Sequence, residues 1–211
     1  MKQKTLKQKF DIEGIGLFTG ESVKLSCLPA EANTGVVFKR VDLEGQPSIL
    51  ASIAHVDSTF RTTCLKKNDI QIHTVEHILS AFYGMGIDNV LVELDGSEIP
   101  ILNGSAEPFV TKINTAGTTE LDAEREFIRF ESRLEFKDEV SGAKYSYTPL
   151  EDEDAFEIVS IIDYNSKVGR QVAMYKPDVS YSEDIAPSRT FVFVNELGFT
   201  HGANLRHLLR N

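Results

Sequence analysis

A change of hydrophobic period near His73 limits what this chain can fold into more than any other feature. Before it, segments such as SVKLSCL (22–28), GVVFKRV (35–41) and TTCLKK (62–67) alternate apolar and polar residues between turn signals. That is the period of half-buried strands. After it, Val75, Ile78, Leu79 and Phe82 recur at i, i+3, i+4 and i+7, with Thr74 as N-cap and Gly84 and Gly86 as the stop. This spacing predicts a helix of about three turns. DNVLVELDG (88–96) then reads as a strand, and AEPFVTKINTAG (106–117) as a second helix ending at Gly117. The block is therefore strands, helix, strand, helix.

The polar stretch TTELDAERE (118–126) has no apolar periodicity and is the natural linker, which sets a domain boundary near Asp122 and divides the chain into 1–122 and 123–211. A second β-rich stretch follows, with EFIRFESRLEFK (126–137), AKYSYTPL (143–150) and AFEIVSIIDY (155–164). The acidic cluster Glu151 to Asp154 reads as a solvated loop, since four adjacent carboxylates cannot all turn toward one ion. The last fourteen residues, GFTHGANLRHLLRN, contain no acid.

Composition removes several function classes. With 22 basic against 32 acidic residues and a net charge of -10, a broad basic face for nucleic acid is excluded, and an acidic ligand needs a local basic pocket. The 211 residues, 41% hydrophobic, suffice for one large domain or two small ones. No run approaches a membrane span, and the start MKQKTLKQKFDIEG lacks the apolar core of a signal peptide. Cys27 and Cys64 are too few for a disulfide scaffold, so a cytoplasmic, reducing location is expected.

The sharpest chemical string is His73-Thr-Val-Glu76-His77, which matches the inverted zinc-peptidase pattern His-x-x-Glu-His. There both histidines would bind zinc from one helical face and Glu76 would activate the metal-bound water. With Thr74 as N-cap, however, His73 lies outside the helix and the i, i+4 geometry fails. A reduced reading keeps Glu76 and His77 on the first helical turn, with the imidazole as ligand and the carboxylate as base. The bland reading is a helix-start carboxylate beside a partly buried histidine. Gly14-Ile-Gly16-Leu-Phe-Thr-Gly20 has the wrong spacing for a phosphate loop and reads as a strand bend, and Asn103-Gly-Ser105 reads as a turn feeding the second helix.

Taken together, TLKQKFDIEGIGLFTGESVKL, PAEANTGVVFKRVDL, TVEHILSAFYGMGIDNVLVEL, SEIPILNGSAEPFV and SRTFVF resemble one family closely, the zinc-dependent UDP-3-O-acyl-N-acetylglucosamine deacetylases of lipid A biosynthesis. The similarity runs from about Lys4 to Glu196 in matching order, and the chain looks most like Bacteroidetes members, some fused to an acyl carrier protein dehydratase. The resemblance implies hydrolysis of the N-acetyl group from a UDP-linked acylated glucosamine. It implies an α+β fold of two domains, each a sheet with a helix pair, packed as a sandwich with the helices between the sheets. His77 matches the zinc ligand of TVEH and Glu76 its general base, while His73 falls outside the motif. Thr190 matches the threonine that supports the oxyanion, and Phe191 follows it in the substrate cleft. Lys144, Asp163, Tyr164 and Phe193 match substrate-contacting positions, Lys144 toward the diphosphate, Tyr164 toward uracil and Phe193 toward the acyl chain.

Departures sharpen these expectations. The family's remaining zinc ligands and catalytic histidine belong to a His-Lys-x-x-Asp motif and a later Gly-His string, neither of which occurs in this sequence. Phe18 stands where the family has the histidine of GLHTG, and Asn103 where it has the aspartate of PILDGSA. The chain is thus expected to be an incomplete form with an unfinished second domain, to hold zinc weakly, and to leave an apolar sheet face exposed. A non-catalytic UDP-sugar-binding or assembly module is the other class that fits.

Overall fold

The alternating segments before His73 form strands, and the helical stripe after it forms a helix. The computed structural model of the protein describes residues 1–151, 155–164, 168–176 and 178–192. These gather in two compact units, Met1–Glu124 with 181–192, and Arg125–Ser180. In chain order the first unit holds β1 (Lys2–Leu6), β2 (Phe10–Ile15), β3 (Ser22–Pro29), β4 (Val36–Arg40), β5 (Ser48–Leu50), β6 (Val56–Ser58), β7 (Cys64–Lys67), β8 (Ile70–Ile72), α1 (Glu76–Gly84), β9 (Val90–Leu94), α2 (Glu107–Ala116) and β10 (Thr118–Glu124).

The main sheet has the order β2-β3-β9-β4-β5, with β4 and β9 parallel and the other pairs antiparallel. Leu25 faces Leu94 and Cys27 faces Val92 in its central ladder. The period of two sends Val23, Leu25 and Cys27 inward on β3, and Val90, Val92 and Leu94 inward on β9. Against them pack Ile78, Ala81 and Phe82 of α1 and Phe109, Val110, Ile113 and Ala116 of α2. Each large side chain so buried contributes about 1.5–3 kcal/mol, which is why tertiary packing can hold helices of nine and ten residues that would be marginal alone. This sheet with a helix pair is the α+β architecture.

Two local expectations are corrected. Thr74 is not the N-cap of α1. The capping position is Val75, with no side-chain cap, because the Thr74 hydroxyl donates instead to Glu98 Oε1 at 2.8 Å. Nor is the polar stretch after Gly117 a linker, for Thr118–Glu124 is a strand paired antiparallel with β1. Ion pairs of Lys2 with Asp122 and Glu124, and of the Met1 ammonium with Glu124, line that ladder. Gly117, at φ 70, supplies the left-handed turn between α2 and β10.

Residues 181–192 pack with the first unit. Their π-helical turn, Tyr181–Ile185, lays the Tyr181 ring over Gly84, where a Cβ would collide with it, and the phenol and Ser80 hydroxyls lie 2.7 Å apart. Ala186 is buried, and its carbonyl accepts the N–H groups of Ala106 and Glu107 at 3.1 and 3.0 Å. That carbonyl satisfies donors at the start of α2, which has no side-chain cap.

The second unit has β11 (Leu134–Lys137) paired with β12 (Lys144–Tyr147), and β13 (Ile158–Tyr164) paired with β14 (Gly169–Tyr175). None of its described residues is buried. On one face of the second hairpin, Val159 opposes Met174 and Ile161 opposes Val172, all four exposed. The exposed apolar face anticipated from the sequence is present. Of the acidic cluster, 152–154 lie outside the described residues. Among the described residues no helix is long and apolar enough to cross a membrane.

Candidate active site

The site begins where β8 hands the chain to α1. His73 stays with the strands, its N–H donating to Ser97 O at 2.9 Å, its carbonyl accepting from Ile99 at 3.0 Å, and its Nε2 4.0 Å from Cys64 Sγ. Thr74 then adopts φ 61, a left-handed conformation that reverses the chain before the helix starts. This break removes His73 from the helical face of His77, so the two cannot act as an i, i+4 ligand pair. The peptidase geometry is absent.

The segment before β7 closes against this reversal. Thr74 donates its N–H to Thr62 Oγ1 at 2.8 Å, Val75 to Thr63 O at 3.4 Å, and Thr63 donates its own N–H to Glu76 Oε2 at 2.9 Å. One oxygen of the Glu76 carboxylate is thereby oriented, and Oε1 has no protein partner among the described residues. Glu76 stands at the first position of α1, where the helix favours negative charge. His77 beside it is half-buried. That burial holds its imidazole below the ordinary value against the upward pull of the Glu76 charge, so it is neutral near pH 7.

A neutral imidazole is the form in which histidine binds zinc. Yet no group of three His, Cys, Asp or Glu side chains placed to hold a metal exists among the described residues. Their donor set therefore does not complete a zinc site. His201 and His207 lie outside the described residues. The two thiols are no substitutes, since burial pushes Cys27 well above its ordinary value and raises Cys64 as well.

Thr190 belongs to the same unit as Glu76 and His77. Its N–H donates to Gly104 O at 2.9 Å, which ties it to the turn that feeds α2. That turn is built by Asn103, whose Oδ1 accepts from the Ser105 N–H at 3.1 Å and the Ser105 hydroxyl at 2.8 Å. The Asn103 amide also donates from Nδ2 to Glu107 Oε2 at 3.4 Å, a contact that the aspartate of the family pattern could not make. Phe191 is exposed, and Phe193 lies outside the described residues.

Lys144, Asp163 and Tyr164 are in the second unit. Lys144 is exposed on β12, directly opposite Lys137, whose own charge is paired with Glu139 at 3.0 Å. The Asp163 carboxylate is engaged by Arg170 Nε and Nη2 at 3.0 and 2.9 Å across the hairpin. As strand neighbours, Asp163 and Tyr164 point to opposite faces.

Sequence reasoning missed Glu98. It is 2% exposed and receives the N–H groups of Phe18 and Thr19 and the hydroxyls of Thr19 and Thr74. The signal was a single acid beside the apolar run Ile99-Pro100-Ile101. At Phe18 the contact is made by the backbone N–H, which any residue but proline offers.

Comparison with known proteins is consistent from end to end. Residues 3–207 match the family model of LpxC, UDP-3-O-acyl N-acetylglycosamine deacetylase. The chain is similar to a bifunctional enzyme LpxC/FabZ of Porphyromonas gingivalis, 42% identical over 97% of this chain and 44% of the relative. It is similar to a UDP-3-O-acyl-N-acetylglucosamine deacetylase of Cellvibrio japonicus, 39% identical over 97% of this chain and 67% of the relative. A bifunctional enzyme LpxC/FabZ of Bacteroides thetaiotaomicron is 41% identical over 93% of this chain and 42% of the relative. The chain thus spans less than half of the two bifunctional relatives and about two thirds of the third.

Proposed function

Since the chain belongs to the UDP-3-O-acyl N-acetylglycosamine deacetylase family, we propose that its chemistry is hydrolytic removal of the N-acetyl group from UDP-3-O-acyl-N-acetylglucosamine, with release of acetate, in lipid A biosynthesis. The observation that carries this reading is the Glu76–His77 pair on the first turn of α1, with one carboxylate oxygen of Glu76 oriented by the Thr63 N–H. Glu76 acts as general base. As water attacks the acetyl carbonyl, a C–O bond forms, the carbonyl π bond opens to an oxyanion and the carboxylate takes the water proton at Oε1, while the helix amino terminus favours the negative charge that develops. On collapse the C–N bond breaks, that proton passes from Glu76 to the leaving amine nitrogen, and acetate is released. Thr190 offers its hydroxyl to the oxyanion. Zinc is the proposed cofactor with His77 as one ligand, and the other ligands are not among the described residues.

Lys144, Asp163, Tyr164, Phe191 and Phe193 are proposed substrate contacts. For Asp163 this requires a ligand group that can share its carboxylate with Arg170. A cytoplasmic location and a fused or associated acyl carrier protein dehydratase belong to the same reading, the latter supported by the bifunctional LpxC/FabZ relatives.

The test is elemental analysis for zinc together with an assay of acetate release. The 211-residue chain is expected to hold less than one zinc per molecule and to turn over little. A fusion that supplies the length of the Cellvibrio japonicus relative not spanned by this chain should bind one zinc and release acetate. Glu76→Gln in that fusion should lower turnover by about 10²–10⁴-fold with zinc retained. Binding of UDP by a zinc-loaded fusion without any turnover would overturn the reading in favour of a non-catalytic module.

A further inference from the structure

Glu98 is the only buried acid among the described residues. A buried carboxylate is costly unless its oxygens are fully hydrogen-bonded, and here the bonds divide between two places. Oε2 accepts the Thr19 N–H at 2.8 Å and the Thr19 hydroxyl at 2.9 Å, and the Phe18 N–H reaches both oxygens at 3.0 and 3.1 Å. Oε1 also accepts the Thr74 hydroxyl at 2.8 Å. One side chain thus ties the 16–20 turn to the residue that precedes the candidate active site by two positions. The fit on the turn side is close, since a Cβ at Gly16 would stand 2.5 Å from Glu98 Oε2.

Thr74 is where this tie has leverage. A β-branched residue at φ 61 is unfavourable and persists only when its surroundings dictate it. Two groups do so here: Thr62 Oγ1 accepts the Thr74 N–H at 2.8 Å and lies 3.1 Å from its hydroxyl, and Glu98 Oε1 accepts that hydroxyl at 2.8 Å. The dihedral angles at Thr74 set the direction in which α1 departs, and Glu76 and His77 are the first two residues of that helix. The alignment of Thr63 with the Glu76 carboxylate depends on the same reversal.

We propose that Glu98 is a positioning residue for this site, its carboxylate clamping Thr74 in the left-handed conformation against the 16–20 turn and so fixing where Glu76 and His77 stand. The inference rests on the reading of Glu76 and His77 as site residues.

Backbone amide NMR with hydrogen exchange on the full 211-residue chain tests it. In Thr74→Val, which keeps shape and branching but loses the hydroxyl donor, the amide signals of Thr63, Glu76 and His77 should shift. Exchange of the Thr63 amide should accelerate by about tenfold or more, while Phe18, Thr19 and the strand amides of β9 hold their wild-type values. Thr74→Ser, which keeps the donor, should restore the wild-type pattern. In Glu98→Gln the turn and the helix start should both move. Should Glu98→Gln not fold, the Thr74 pair decides the matter. Wild-type Thr63, Glu76 and His77 signals and exchange in Thr74→Val would reduce Glu98 to a clasp for the turn and overturn the proposal. No turnover enters these measurements, so the clamp and the deacetylase reading can fail separately.

Discussion

In the first unit Leu25, Phe38, Val92 and Phe109 are wholly withdrawn from water, whereas in the second Ile128 is 87% exposed, Val140 98% and Ile161 66%. Both units pair their strands well, the β13–β14 ladder running through seven consecutive pairs. The difference is cover. α1 and α2 lie on the five-stranded sheet and exclude water from its inner face, and the hairpins of the second unit have no such layer among the described residues. Backbone pairing exchanges hydrogen bonds with water for similar ones within the chain, while apolar burial supplies the net driving force. A two-stranded hairpin alone is therefore marginal, however regular its register.

Paired truncations would break this contrast most directly. Phe109→Ala in the first unit should cost about 3–5 kcal/mol, while Ile161→Ala in the second should fall within about 0.5 kcal/mol, both read from urea unfolding. Equal costs would mean that the second hairpin buries its face after all. A change of intermediate size tests how residues 181–192 join the first unit. Gly84→Ala in a helix ordinarily stabilises by about 0.5–1 kcal/mol, but here the new Cβ meets the Tyr181 ring, so a net loss of about 1–3 kcal/mol is expected. In a Tyr181→Ala background the same substitution should change sign. An unchanged sign would show that Tyr181 does not press on α1.

The smallest expected effect is electrostatic. Burial lowers the His77 imidazole, so the unfolded chain takes up its proton first as pH falls. Stability present above the ordinary histidine value of about 6.5 is lost as the pH drops toward the lower folded-state value. His77→Gln should flatten that part of the slope when unfolding midpoints are compared at about pH 7 and about pH 5. An unaltered slope would mean that His77 is as well solvated folded as unfolded.

Much of the first unit was legible because its signals are local. The alternation of 22–28 and the stripe of Val75, Ile78, Leu79 and Phe82 are written within single elements. The Glu76–His77 pair was legible too, through its string and its place at the helix start. What escaped depended on partners far along the chain. Thr74 looked like a cap because the groups that engage its hydroxyl, Thr62 and Glu98, are 12 and 24 positions away. Glu98 itself serves Phe18 and Thr19, 80 and 79 positions away. Thr118–Glu124 has no alternation to read because its side chains are mostly exposed, and its strand character comes from β1.

The pairing of β1 with β10 also orders events in time. Met1 and Glu124 meet across 123 positions, so on the ribosome the first strand emerges long before the one it must join. Asn33 and Asn89 can engage it earlier, but its ladder partner is made only after every other element of that unit up to Glu124. The Ala186 carbonyl that receives the start of α2 arrives later still. Closure of this unit is therefore a late, long-range event of the slow kind, and an emerging chain must keep its first strand from alternative edges until the strand's own partner has been made.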